Sequence, residues 1–133
     1  MKNLIVLSAI TACILFFSAC KDPDAAYTQY SEQMKDSIFK SYPTVAGITI
    51  EVKDRTALDI TLGSVDLFKT SDAEREKTAN ELGMMALRLY PKDNSFEKVR
   101  LIVSRDEKSE HVNIAEAKIS NINLDSLRKL GAK

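Results

Sequence analysis

The side chains able to do chemistry in this 133-residue chain are few and scattered. His111 is the single histidine, so a serine nucleophile activated by imidazole would have one candidate base. It heads a strand-like run beside a charged loop, with parity opposite to Val112 and Ile114, which turns it toward solvent. A zinc site needs several further soft ligands, and the chain holds two cysteines, Cys13 and Cys20. The 19 acidic residues are dispersed: Asp54, Asp59 and Asp66 lack the alternating oxygen ligands and turn glycine of a calcium loop. Asp93-Asn94-Ser95, just after Pro91, reads as a turn rather than an ion site. Paired acids for glycoside chemistry must be brought to within ~5–10 Å by the fold, and no local motif announces such a pair. No nucleophile elbow, phosphate loop, dinucleotide fingerprint or metalloprotease helix occurs, and Gly47, Gly63, Gly83 and Gly131 stand singly. The expectation is a chain that is not an enzyme and carries no metal or cofactor.

Binding surfaces are the other class of chemistry. With 19 Lys and Arg against 19 Asp and Glu, no basic face is implied, and nucleic acid is not an expected partner. Tyr27, Tyr30, Tyr42 and Tyr90 are candidates for an aromatic surface, but Tyr27 and Tyr30 share a helical stripe with Met34 and Ile38 and are better explained as packing. In the run Met84-Met85-Ala86-Leu87, Met85 falls on the core stripe of a helix. Met84 and Leu87 fall off it and form the candidate partner surface, since methionine adapts readily to a partner and an apolar face without a core partner invites one. The charged run RDEKSE at 105–110 is a solvated loop, and would favour an inhibitor if it reached into a partner's cleft.

Residues 1–20 differ from all that follows. Lys2 is the only charge before Cys20, and residues 4–17 read LIVLSAITACILFF. A run of fourteen residues, twelve of them apolar, falls short of the ~20 that span a bilayer as a helix. A basic start, a short apolar stretch and small residues at its end describe an export signal. Its last four residues, Phe17-Ser18-Ala19-Cys20, resemble the lipobox of bacterial lipoprotein precursors. Ser18 and Ala19 match the small residues of that motif, while Phe17 replaces the usual Leu, as in the looser lipoboxes of Bacteroidota.

The resemblance covers these residues alone and implies a signal peptide at 1–19, cleavage before Cys20, a diacylglyceryl group on its sulfur and acylation of the new amino group. Several buried acyl chains suffice for stable anchoring without a protein helix, at about 0.8 kcal/mol per CH₂. The implied location is the cell envelope, lipid-anchored, at the outer membrane. Lys21-Asp22-Pro23-Asp24 resembles a surface-export signal of Bacteroidota lipoproteins, and reads equally as a solvated tether entering a helix cap. Without residues 1–19 the chain keeps 114 residues, 18 basic against 19 acidic, with Cys20 its one cysteine. Alkylation of that sulfur would leave no thiol for catalysis, disulfides or metal.

The elements that must position any site follow from periodicity. A first helix is expected from Pro23 or Asp24 to Ser41, capped by Asp22 and ended by Tyr42-Pro43. Ile48, Ile50 and Val52, then Leu58, Ile60 and Leu62, alternate with polar residues, giving two strands joined at Asp54-Arg55 by a turn that lacks glycine. Val65, Leu67 and Phe68 form a short apolar patch. Ser71-Asp72-Ala73-Glu74 is a capping box opening a second helix along Thr78 or Ala79, Leu82, Met85 or Ala86 and Leu89, which Pro91 stops. Val99, Leu101 and Val103 mark a third strand. Val112 and Ile114, then Ala115, Ala117 and Ile119, mark a fourth, with a parity slip that suggests a bulge near Ala115-Glu116. Asn123 or Asp125 caps a short last helix bearing Leu124, Leu127 and Leu130.

The expected fold class is α+β: a two-layer sandwich with an antiparallel sheet of about four strands and helices on one face, in the order α-β-β-α-β-β-short α. The organisation is signal peptide 1–19, anchor and tether 20–24, and one domain 25–133. The leading functional expectation is a non-catalytic binding or accessory module of the envelope, with the membrane, through lipid on Cys20, and an envelope protein as partners. The other classes are an inhibitor or immunity-type protein and an acid/base hydrolase.

Overall fold

A computed structural model describes residues 23–90, 96–105 and 116–131. The first helix, α1, spans Pro23–Ser41. Its stripe of Tyr27, Tyr30, Met34 and Ile38 faces inward, with Met34 and Ile38 fully buried and the two tyrosines half-buried against the core. Strands β1 (Gly47–Lys53) and β2 (Ala57–Gly63) pair antiparallel. Their connection closes tightly without glycine. Asp54 and Arg55 both take positive φ, 51° and 59°, and the Thr56 N–H donates to the Lys53 carbonyl at 3.0 Å. Asp tolerates the left-handed region better than most residues; Arg55 there carries strain that glycine would relieve.

The apolar patch after β2 is a short helix, α2 (Val65–Lys69). Ser64 caps it, accepting from the Leu67 N–H at 3.2 Å. Helix α3 (Asp72–Leu89) opens with both halves of the expected capping box formed between Ser71 and Glu74. Its buried stripe contains the expected Thr78, Ala79, Leu82, Met85 and Ala86, together with Gly83 and Arg75. Burial of a cation needs partners. The Arg75 guanidinium donates to the Thr70 and Phe68 carbonyls and pairs with Asp72, tying the end of α2 to the start of α3.

Strand β3 (Lys98–Ser104) lies beside β2, and β4 (Lys118–Ile122) lies beside β3, giving the order β1-β2-β3-β4. The α+β class and the four strands agree with expectation. The purely antiparallel sheet does not: β2 and β3 run parallel, with Leu58 opposite Val99 and Leu62 opposite Val103, so the sheet is mixed. The physical reason is the connection. Helices α2 and α3 intervene between β2 and β3, and β3 begins at the end of the sheet where β2 begins, as a parallel pair requires. The last helix, α4 (Leu124–Gly131), is capped by Asn123, whose Oδ1 accepts from the Ser126 N–H at 3.1 Å.

One face of the sheet is dry. Ile48, Ile50 and Val52 of β1, Leu58, Ile60 and Leu62 of β2, Val99, Leu101 and Val103 of β3 and Ile122 of β4 join residues of α1, α3 and α4 in a single core. The register places Thr49, Glu51 and Lys53, Asp59 and Thr61, Arg100 and Ile102, and Ile119 and Asn121 on the opposite face. Ile119 is 41% exposed there, so the core residue of β4 is Ile122.

Candidate functional site

Three regions have the chemistry to bind something. The first is the far face of the sheet. Asp59 lies on central strand β2, only 5% exposed. Arg100, its cross-strand partner, grips it with two bonds, Nε to Oδ1 at 2.8 Å and Nη2 to Oδ2 at 2.6 Å. Lys53 adds a contact to Oδ2 at 3.2 Å and reaches Glu51 at 3.8 Å. The Arg100 hydrogen bonds, and then Lys53, hold the Asp59 carboxyl below the usual carboxylate range in spite of its burial. A carboxylate held this way stays ionised and only weakly basic, with both oxygens taken by Arg100 and Lys53, so the cluster pins the β2–β3 register.

The second region lies between the start of α1 and the β1–β2 turn. Tyr27, Ser31, Glu32, Val52, Asp54 and Arg55 line a cleft of about 650 Å³. Tyr27 links this cleft to an aromatic cluster in the core. Tyr90 stands 5.2 Å from Phe96 edge to face, and Tyr27 sits 6.1 Å and 6.0 Å from the two rings. The Tyr90 hydroxyl shares a 2.6 Å hydrogen bond with the Ser31 hydroxyl, and burial pushes its pKa up. Tyr30 also packs on Tyr90, at 5.8 Å. Tyr42 is tied to Glu81 across α1 and α3; partial burial, then the Glu81 carboxylate, raises its pKa. The tyrosines therefore serve mainly to bind α1 to α3.

The third region is where α4 crosses α3. Gly83 permits that crossing: a Cβ there would stand 2.5 Å from Leu127 Cδ1 and 2.7 Å from Ile122 Cγ2. Beside the crossing lies a shallow, mostly apolar groove of about 750 Å³, lined by Met84, Leu127, Leu130 and the stems of Glu76, Lys77 and Arg88. Met84 is half-buried and touches both the core and the groove; its Cε lies 3.7 Å from where a Cβ on Gly131 would be. Leu87 is half-buried against the core and does not line the groove. Leu130, 67% exposed, is the most open large apolar side chain of the described residues. The structure thus separates Met84 from Leu87 and brings Met84 together with Leu130 of the last helix.

No family model, curated protein or solved structure matches this chain.

Among the described residues, no three His, Cys, Asp or Glu side chains gather as a metal ion would need, and no helix is long and apolar enough to cross a membrane. Cys13, Cys20, Asp93-Asn94-Ser95, residues 106–110 of the charged loop, His111, Val112, Ile114 and Ala115 lie outside the described residues. Arg105 is described, and its guanidinium lies 5.6 Å from the Phe68 ring centroid. Lys118 Nζ stands 4.6 Å from the same ring and donates to the Phe68 carbonyl at 2.8 Å.

Proposed function

We propose that this protein is a small envelope lipoprotein, anchored through lipid on Cys20 at the outer membrane, whose domain is a non-catalytic binding or accessory module. The observation that carries the binding role is the α3–α4 groove. Met84 and Leu130 leave apolar surface open beside a close-packed helix crossing. An isolated exposed leucine is ordinary; a leucine and a methionine converging on one groove are better suited to receive a partner's side chains.

The occupant we assign is an amphipathic helix of an envelope protein. Helix-in-groove recognition places apolar anchors at helical spacing into such a trough. The flanking Glu76, Lys77 and Arg88 supply both charge signs, so the partner helix carries mixed charges at its edges. Lys118 and the Asp59 cluster are committed to internal partners and leave this groove as the better candidate.

The test is a photo-crosslinking amino acid in place of Leu130, compared with one in place of Lys69 on α2, in intact envelopes. The expected result is a discrete adduct with one envelope protein from position 130 alone, abolished by Met84→Lys. Equal background labelling at both positions would reject the groove as the binding site.

A further inference from the structure

The distance between the anchor and the fold has a consequence for orientation, which rests on the lipid-anchor reading. Only Lys21 and Asp22 separate Cys20 from Pro23, the first residue of α1. Three Cα-to-Cα steps reach at most about 11 Å when fully extended. With acyl chains on Cys20 in the bilayer, the start of α1 cannot lie farther than that from the anchored Cα.

The start of α1 belongs to a defined end of the domain. Tyr27, one helical turn on, shares a cleft with Asp54 and Arg55 of the β1–β2 turn and packs on Phe96 and Tyr90. Thr56 closes the same end, its carbonyl accepting from the Glu97 N–H at 2.7 Å and the Lys98 N–H at 3.2 Å. The opposite end holds α2 and the start of α3, separated by the length of β2, about 20 Å for seven residues.

We infer that the end formed by the β1–β2 turn, Phe96 and Lys98 rests on the phospholipid headgroup layer, so that the domain is held in one orientation rather than swinging freely. Arg55 and Lys98 are exposed there and can meet headgroup phosphates, while Tyr27 presents the mixed apolar and polar character that suits an interface. Asp54 and Glu97 stand beside those cations, so the charge of this end nearly balances. The short tether, not electrostatic attraction, holds the contact, and screening by salt does not release it.

The experiment uses the lipidated protein, its lipid verified by intact mass, in phosphatidylethanolamine and phosphatidylglycerol vesicles containing a headgroup spin-labelled lipid. Cysteine introduced by Glu97→Cys or by Lys69→Cys carries a thiol-reactive fluorophore; both sites are exposed, and Cys20 is blocked by its lipid. The expected result is quenching severalfold stronger at 97 than at 69, unchanged by high salt. Equal quenching at the two sites in protein of verified lipid mass overturns the orientation and leaves the anchor standing. Loss of the difference at high salt overturns the tether as its cause. Absence of the lipid mass overturns the anchor reading, and the orientation with it.

Discussion

Helix α3 has two flanks, and they are finished differently. Toward α1 it is sealed by aromatic side chains with polar handles: Tyr90 on Ser31, Tyr42 on Glu81, and the Tyr27, Tyr30 and Phe96 rings around Tyr90. Every buried side-chain donor or acceptor described has a partner, so this flank needs nothing further. Toward α4 the seal is steric. Gly83 lets Leu127 and Ile122 come close, and Met84 and Leu130 remain open beside the crossing. The difference teaches that α3 is a partition: its α1 side serves stability, and its α4 side combines a packed core contact with an unfilled apolar margin.

The largest expected effect probes the packed part of the α4 flank. Leu127→Ala removes a side chain that is 5% exposed and fills the space above Gly83, at a cost of about 2–4 kcal/mol in chemical unfolding. A cost under about 0.5 kcal/mol, as for a surface position, would mean that α4 is not part of the core and would break the comparison.

The Asp59 cluster lies off both flanks and acts as a reference. Asp59→Asn weakens two charged hydrogen bonds and costs about 1.5–3 kcal/mol at neutral pH. The sign of its pH dependence follows from the lowered folded pKa. The stabilisation is complete above the unfolded value, ~3.9, and is lost as pH falls through the folded one. Acid titration of stability is therefore expected to fall less steeply below about pH 4 in Asp59→Asn than in wild type, and to keep the wild-type slope in Leu127→Ala.

On the closed flank, Ser31→Ala takes away the partner of the buried Tyr90 hydroxyl and costs about 1–2 kcal/mol; Ser31→Ala with Tyr90→Phe removes both groups and is expected to recover part of that loss. The smallest effect on stability sharpens the contrast. Leu130→Lys, at a 67% exposed position, is expected to change unfolding by less than about 0.5 kcal/mol while abolishing the envelope-protein adduct expected from a photo-crosslinking amino acid placed at Lys77 on the rim of the groove.

Much of this fold is legible in the residues, and the unreadable parts share a cause. Local signals sufficed for the Ser71 to Glu74 capping box and the Tyr27 to Ile38 stripe, and narrowed the last cap to Asn123 or Asp125, of which the structure uses Asn123. Alternation along β2 and β3 shows which side chains face inward, but it reads the same for parallel and antiparallel neighbours, so the β2–β3 pairing was not visible. The Asp59 to Arg100 pair, 41 positions apart, depends on that pairing and was missed with it. Arg75 falls on the buried stripe of α3, but its carbonyl partners come from the end of α2, which the apolar patch at 65–68 did not announce as a helix. Gly83 looked like an isolated glycine because its reason, the approach of Leu127 and Ile122, lies about 40 residues on. For the candidate surface, helical phase identified Met84 and Leu87 as off the main stripe, whereas only the packing of α4 shows that Met84 belongs with Leu130.

The measurement that tests the central claim most directly is intact mass with membrane fractionation of the protein from its native host, beside a Cys20→Ala variant. The account predicts a wild-type chain that begins at Cys20, carries the mass of its acyl groups and sediments with membranes, and a variant that loses both the added mass and the membrane association. A wild-type chain without lipid that stays in the soluble fraction would contradict it.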